Sequence, residues 1–99
     1  MKLLNTENQP VEAVDFGIVE VGATKTLEYF LYNDEGAYID NIDIKIADQY
    51  QVQEVTVSSY PTSLEKNEKI LFTLAWKPTL KIKEGLKVKL DVHYRRLYG

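Results

Sequence analysis

The sequence predicts an all-β fold, an antiparallel β-sandwich of seven or eight strands. Apolar and polar residues alternate with a period of two in several segments, which is the pattern of strands that bury one face. Turn-forming residues recur between these segments at the spacing of sandwich proteins. The chain has 99 residues, of which 44% are apolar, so it is large enough for a single hydrophobic core.

The predicted strands follow a short N-terminal arm and fill the rest of the chain. Residues 1–10 are expected to form an N-terminal arm of one domain that spans residues 1–99. Strands are then predicted near residues 11–16, 18–21, 25–33, 38–47, 50–58, 68–77 and 85–96.

The early strands are bounded by glycines and by a polar turn. Val14 and Phe16 alternate with a polar residue, and Gly17 and Gly22 bracket the apolar segment that follows. Glycine suits such positions because it adopts positive φ angles without strain. The next strand ends at residues 33–36, where Asn, Asp, Glu and Gly form a turn cluster.

Three alternating rows of apolar residues are expected to supply most of the core. Members of a row share one face of a strand, and each buried side chain contributes ~1.5–3 kcal/mol. The rows are Ile42, Ile44 and Ile46; Ile70, Phe72, Leu74 and Trp76; and Leu86, Val88, Leu90, Val92 and Tyr94. We expect one core between two sheets that buries Ile44, Leu74, Trp76, Val88 and Leu90.

Two later segments are less regular. Tyr50 and Val52 lie on one parity of their strand while Val55 and Val57 lie on the other, so a β-bulge near residues 53–54 is predicted to restore a common inward face. A single helical turn, with Thr79 as its cap, is compatible with the Pro78–Glu84 segment.

The net charge of −3 is unevenly distributed. Residues 1–76 carry 5 Lys and Arg against 13 Asp and Glu, a net charge of −8, and residues 77–99 carry 7 against 2, a net charge of +5. Such asymmetry can indicate a nucleic-acid or acidic partner. We favour the simpler interpretation that lysines line the solvent face of the last strand and protect its edge from aggregation.

The composition excludes several classes of site. The chain has no cysteine, so disulfides and thiolate metal sites are excluded. No apolar run is long enough for a signal peptide or a membrane span, and we expect an intracellular or virion protein with no membrane partner.

No residue pattern indicates catalysis, a metal or a cofactor. His93 is the only histidine, and alternation places it on the exposed side of its strand, where a catalytic triad or zinc site would not form. The acidic stretch comprises Asp34, Glu35, Asp40, Asp43 and Asp48, and the order Asp40-Asn41-Ile42-Asp43 lacks the glycine-containing loop of an EF-hand calcium site. We therefore expect a protein that is not an enzyme and has no catalytic, cofactor-binding or metal-binding residues.

One set of motifs resembles a known family. The set comprises Phe16, Gly17, Val19, Gly22, Asn33 and the run from Phe72 to Pro78, and the likeness covers about residues 11–95. It is similar to the immunoglobulin-like domains of the abnormal-spindle/hydin and major-sperm-protein group. The resemblance implies an immunoglobulin-like β-sandwich. The chain departs from the family at Asn33, where the family has Asn-x-Gly, so the turn is expected to be a residue longer.

In an immunoglobulin-like topology the strand near 25–33 neighbours the strand near 68–77. Phe30, Tyr32 and Leu71 would then share an outward face, and contiguous exposed apolar surface marks an interaction site. The alternative is that the leucines of the N-terminal arm fold over this face.

The C-terminal strand is a second candidate interface, with Lys87, Lys89, Arg95 and Arg96 as its basic residues. Arginine and tyrosine are enriched at binding hot spots. The two arginines could also contact phosphate groups, but two arginines among edge lysines are weak evidence, and we regard nucleic acid as an unlikely partner.

These features favour a structural or interaction module that docks onto a larger protein assembly. By analogy with stand-alone domains of this size, the expected assembly is a bacteriophage virion, with the chain acting as a capsid-decoration or tail accessory protein. Its partner would be a capsid or tail protein or its own copies, and its location the virion, or otherwise the cytoplasm. The alternatives are a cytoplasmic peptide-binding adaptor of major-sperm-protein type and a carbohydrate-binding module that uses Tyr32, Tyr38 and Tyr60.

Overall fold

The computed structural model describes residues 1–47, 55–79 and 85–97. Within these ranges the chain is all-β and contains no helix, so none is long and apolar enough to cross a membrane. Its strands are β1 (Lys2–Leu4), β2 (Val14–Gly17), β3 (Lys25–Tyr32), β4 (Tyr38–Ile46), β5 (Val55–Val57), β6 (Lys69–Trp76), β7 (Leu86–Val88) and β8 (Leu90–Leu97).

All strand pairings are antiparallel, as the sequence predicted. One sheet has four strands in the order β1-β3-β6-β5, and two smaller sheets pair β2 with β7 and β4 with β8. The longest pairing joins β3 to β6 from Lys25 opposite Trp76 to Tyr32 opposite Lys69.

A single hydrophobic cluster takes residues from all three sheets. The rings of Phe16 and Trp76 lie at its centre, with ring centroids 5.7 Å apart and planes tilted by 57°. Burial of Ile44, Leu74, Trp76 and Val88 is confirmed, whereas Leu90 packs against the cluster but is only half-buried. The alternation in β6 is confirmed as well, because Phe72, Leu74 and Trp76 are all buried.

A β-bulge in β4 brings an additional residue into the core. Asp40 lies opposite Arg95 and Asp43 lies opposite His93, so β4 uses one more residue than β8 over this stretch. Asn41 occupies the bulge with a positive φ of 52°. Sequence alternation from position 42 did not predict Ile39 as a core residue, yet the bulge leaves it fully buried.

The predicted strand near 18–21 is wrong. Ile18 and Val21 are 72% and 54% exposed and belong to no strand. Residues 18–20 have no regular secondary structure, and residues 20–23 form a turn in which the N–H of Ala23 donates to the carbonyl of Glu20 at 3.0 Å. Gly22 adopts a φ of 86°, which is unfavourable for other residues and incompatible with an extended strand.

The predicted strand near 85–96 is two strands separated at Lys89. β7 pairs with β2, whereas β8 pairs with β4, and the carbonyl of Lys89 accepts the N–H of Ala47 at 2.9 Å. The apolar alternation is continuous through residues 85–96, but the strand is interrupted where its pairing partner changes from β2 to β4. The predicted bulge at residues 53–54 and most of the predicted turn at 78–84 lie outside the described ranges.

Two glycines set the close approach of β2 to the start of β7. Gly17 and Gly85 have positive φ angles of 66° and 79°. A Cβ atom on Gly85 would lie 2.6 Å from the carbonyl carbon and oxygen of Gly17, which is closer than real contacts allow. Glycine at position 85 is therefore required by both backbone angle and space.

Candidate protein-interaction surfaces

The outer face of the four-stranded sheet carries the predicted aromatic surface. Phe30 lies opposite Leu71 on one side and opposite Leu4 on the other, so the three side chains form a row across β1, β3 and β6. Tyr32 lies on the same face, two residues further along β3. The structure thus brings together the three residues that the sequence analysis grouped, and we call them, with Leu4, the outer apolar row.

Exposure differs within the outer apolar row. Leu71 is 48% exposed, Phe30 and Tyr32 are half-buried, and Leu4 is 9% exposed. The N-terminal residues therefore do not fold over the outer face, but they extend it by one strand. They form β1, which lies beside β3 and directs Leu3 inward and Leu4 outward.

A lysine from β6 partly covers the ring of Phe30. The ammonium group of Lys69 lies 4.5 Å from the ring centroid, a cation–π distance, and it donates a 2.6 Å hydrogen bond to Oδ1 of Asn8. Asn8 belongs to a hairpin that follows β1 and is closed by the N–H of Asn5 donating to the carbonyl of Gln9 at 2.9 Å. A partner that docks on Phe30 would displace or contact this lysine.

The predicted basic residues are of two kinds: exposed lysines, and arginines that lie next to carboxylates. Lys87 and Lys89 are exposed. Arg95 donates two hydrogen bonds to the carboxylate of Asp40 across β4 and β8, at 2.8 and 2.6 Å, and this contact lowers the pKa of Asp40 and raises that of Arg95. Because Arg95 is already engaged, phosphate binding there would have to compete with an internal carboxylate.

A polar cluster surrounds Glu35. Its carboxylate accepts hydrogen bonds from the α-amino group of Met1 at 2.8 Å and from the hydroxyl of Tyr94 at 2.6 Å, and these two contacts lower its pKa. Arg96 lies 3.8 Å away. Burial works to lower the pKa of the Met1 amino group, but hydrogen bonds to Asp34 and Glu35 outweigh it and the pKa is raised.

A groove lined mostly by apolar side chains lies next to this cluster, between β1 and β8. It has a volume of about 370 Å³ and is lined by Met1, Leu3, Val11, Glu12, Leu31, Leu90, Val92 and Tyr94. The sequence analysis assigned these β8 residues to the core. The structure shows instead that their burial decreases along the strand, from half-buried Leu90 and Val92 to Tyr94 at 36% exposure.

His93 lies on the exposed side of β8, opposite Asp43, as its alternation predicted. Among the residues that the structure describes, no group of histidine and carboxylate side chains could hold a metal ion.

Comparisons with known proteins yield no assignment: no protein-family model matches the chain, and neither a curated protein nor a solved structure matches it. The function is therefore argued from the surfaces described above.

Proposed function

We propose that the protein is a non-enzymatic interaction module, an immunoglobulin-like β-sandwich that docks onto a larger protein assembly through its outer apolar row. The carrying observation is the Phe30–Leu71 cross-strand pair, which lies on the outer sheet face with Leu71 48% exposed. A protein interface of this kind has aromatic and aliphatic anchors at its centre and polar groups at its rim. Here the rim is supplied by Lys69, Lys2 and the hydroxyl of Tyr32.

The assembly that we propose is a virion, with the chain as a capsid-decoration or tail accessory protein. Support for this step comes from the resemblance to immunoglobulin-like domains and from analogy with small accessory domains. Exposed Lys87 and Lys89 lie outside the four-stranded sheet, in β7 and just before β8, and would favour a second, acidic contact with the assembly.

The peptide-adaptor alternative shares the same outer row and differs only in its partner. The carbohydrate alternative is less well supported, because its three tyrosines are on different elements. Tyr32 is on the outer face of β3, Tyr38 begins β4, and the hydroxyl of Tyr60 accepts the N–H of Ile44 at 2.8 Å while its ring packs on the core.

Mass spectrometry of purified particles tests the proposal most directly. We expect the chain to co-purify with particles of its source and expect Phe30→Ala combined with Tyr32→Ala to remain folded and lose this association. Leu71→Asp should have the same effect, because it places a charge at the exposed end of the row.

Ile18→Asp is the matched control. Ile18 is an exposed aliphatic residue, like Leu71, but it lies in the segment after β2 and not on the outer face. We expect it to leave association unchanged. If the double aromatic variant associates normally, or if Ile18→Asp is as damaging as Leu71→Asp, the outer apolar row is not the docking surface.

Charge reversal at Lys87 and Lys89 should weaken association mainly at low salt, where exposed charges are least screened. Titration of the complex at two ionic strengths measures this effect. An equal loss at low and high salt would contradict an electrostatic contact of these lysines with the assembly.

A further inference from the structure

β8 has an edge that faces away from its partner. In the two-stranded β4–β8 sheet, Ile44 lies opposite Val92, yet its N–H donates to the hydroxyl of Tyr60 and not to β8. Ile44 and Val92 are therefore a non-hydrogen-bonded pair, in which the backbone groups of both residues point away from each other. Because these directions alternate along a strand, Leu90 and Tyr94 also direct their N–H and C=O groups to the far edge of β8.

Within residues 1–47, 55–79 and 85–97, no strand pairs with this far edge. The residues whose backbone groups lie along it, Leu90, Val92 and Tyr94, are also the ones whose side chains line the groove. An added strand would therefore satisfy backbone groups and cover apolar side chains at the same time, as in β-strand addition.

The charges on β8 identify a second copy of the same strand as the occupant. If two β8 strands pair antiparallel about a two-fold axis at His93, Asp91 of each copy lies opposite Arg95 of the other. Val92 then lies opposite Tyr94 of the second copy, and both have backbone groups that point to the shared edge. Arg95 donates to Asp40 of its own copy from Nε and Nη2, so Asp91 of the second copy would be a second acceptor, at Nη1. Opposite charges that face each other across strands stabilise a pairing.

Neighbouring registers are less favourable. An axis at Val92 would place Lys89 opposite Arg95 of the second copy, which are like charges. A slip of a single residue would place groove-facing residues opposite solvent-facing ones. The register centred on His93 keeps Val92 and Tyr94 of both copies on the groove side, where each would cover the groove of its partner.

We propose that two copies of this chain pair through the far edges of their β8 strands, in the antiparallel register centred on His93, and thereby form a continuous β4–β8–β8–β4 sheet. This pairing uses a different surface from the outer apolar row, so its failure would leave the proposed docking function unaffected.

Cysteine cross-linking of the whole chain tests the register, since the chain has no cysteine of its own. His93→Cys would place two thiols opposite each other with Cα atoms about 4.5 Å apart, which a disulfide spans. Lys89→Cys is the control: the same register separates its two copies by eight residues of strand, about 26 Å. We expect oxidised glutathione to convert the first variant, and not the second, to a covalent dimer.

Analytical ultracentrifugation measures the pairing without a cross-link. We expect a reversible dimer whose dissociation constant rises about tenfold with Asp91→Arg, which opposes two like-charged pairs. Glu28→Arg is the control, because Glu28 has the same charge and is exposed on β3, away from β8, and it should leave the constant unchanged. Val92→Pro should abolish dimerisation, because it removes an N–H that faces the far edge while it spares the bonds to β4.

Two results would overturn the proposal. If the wild-type chain stays monomeric at every concentration, the far edge of β8 does not pair with a second copy, and it pairs with a strand of a different protein or with no strand. A dimer that fails to cross-link at position 93, or that is insensitive to Asp91→Arg, would place the contact on another surface.

Discussion

Asn33 is fully buried, and its side chain organises the loop around it. Its amide donates to the carbonyls of Ala37, Leu64 and Glu65 at 2.8, 3.3 and 3.0 Å, and its Oδ1 accepts the N–H of Glu35 at 3.0 Å. The sequence analysis treated this residue as the end of a strand and part of a turn. Its role in joining that turn to residues 64–65 depends on a contact distant in sequence, which no local pattern reveals.

We expect Asn33→Ala to lower the free energy of unfolding by about 3 kcal/mol, because it removes the hydrogen bonds of a buried amide and leaves the carbonyl of Ala37 without that donor. The carbonyls of Leu64 and Glu65 keep the N–H groups of Ile39 and Glu68. Asn33→Asp keeps the shape but directs a carboxylate at carbonyl oxygens, so its loss should be at least as large. Urea unfolding of the three proteins measures both effects. A loss below about 1 kcal/mol for either variant would show that water satisfies these groups.

Trp76 tests the core. It is 1% exposed and contacts Phe16 in a tilted arrangement, so Trp76→Ala should cost ~3–5 kcal/mol through lost contacts and a cavity. Ile18→Ala, at a position 72% exposed, should change stability by less than about 0.5 kcal/mol. The same urea measurement applies, and similar losses for both variants would contradict the arrangement of the core.

At the scale of elements, the approach of β2 to β7 depends on Gly85. Gly85 and Gly22 have similar φ angles of 79° and 86°, but only a Cβ at position 85 would collide with backbone. Gly22→Ala should therefore cost about 1 kcal/mol for its backbone angle alone. Gly85→Ala should cost clearly more, because β7 must also move away from Gly17. Equal thermal shifts for the two variants would exclude the steric explanation.

The β4–β8 pairing should weaken in acid. The pKa of Asp40 is lower in the folded protein than its ordinary value of 3.8, because Arg95 donates two hydrogen bonds to it. Its contribution to stability is therefore complete above about pH 5 and is lost as the pH falls through the folded pKa. The melting temperature should fall along this range, and less steeply in Asp40→Asn than in the Asp43→Asn control. Identical acid profiles for the two variants would contradict the prediction.

Alternation identified the faces of β3, β6 and β8 correctly, because a strand that buries one face repeats every two residues. Alternation could not identify the strand boundaries that are set by which strands pair with each other. The break at Lys89 follows from a change of partner, and β1 is only three residues long with two leucines directed to opposite faces. The outer row was predicted from parity, but the cation of Lys69 over Phe30 was not, since its position depends on Asn8 in a separate hairpin.

At the scale of the whole molecule, stability should be highest where strands are paired on both sides. β3 and β6 are the two inner strands of the four-stranded sheet, whereas β1 and β5 are its edges. We expect the slowest amide hydrogen exchange in β3 and β6 and the fastest strand exchange in β5 and β1. Exchange in β6 as fast as in β5 would contradict this order. The far edge of β8 should gain protection at concentrations where the proposed dimer forms.

The bulge at Asn41 has a consequence for insertions and deletions in related chains. With the bulge, Ile39 and Ile42 both reach the core although three positions separate them. Loss of the bulge at unchanged chain length would return β4 to strict alternation, and every residue before the bulge would turn over. Tyr38 and Asp40 would then face inward and Ile39 outward. Deletion of Asn41 itself would instead leave a separation of two positions between Ile39 and Ile42, so both would stay inward without a bulge. We therefore expect natural or laboratory deletion of this one residue to be tolerated.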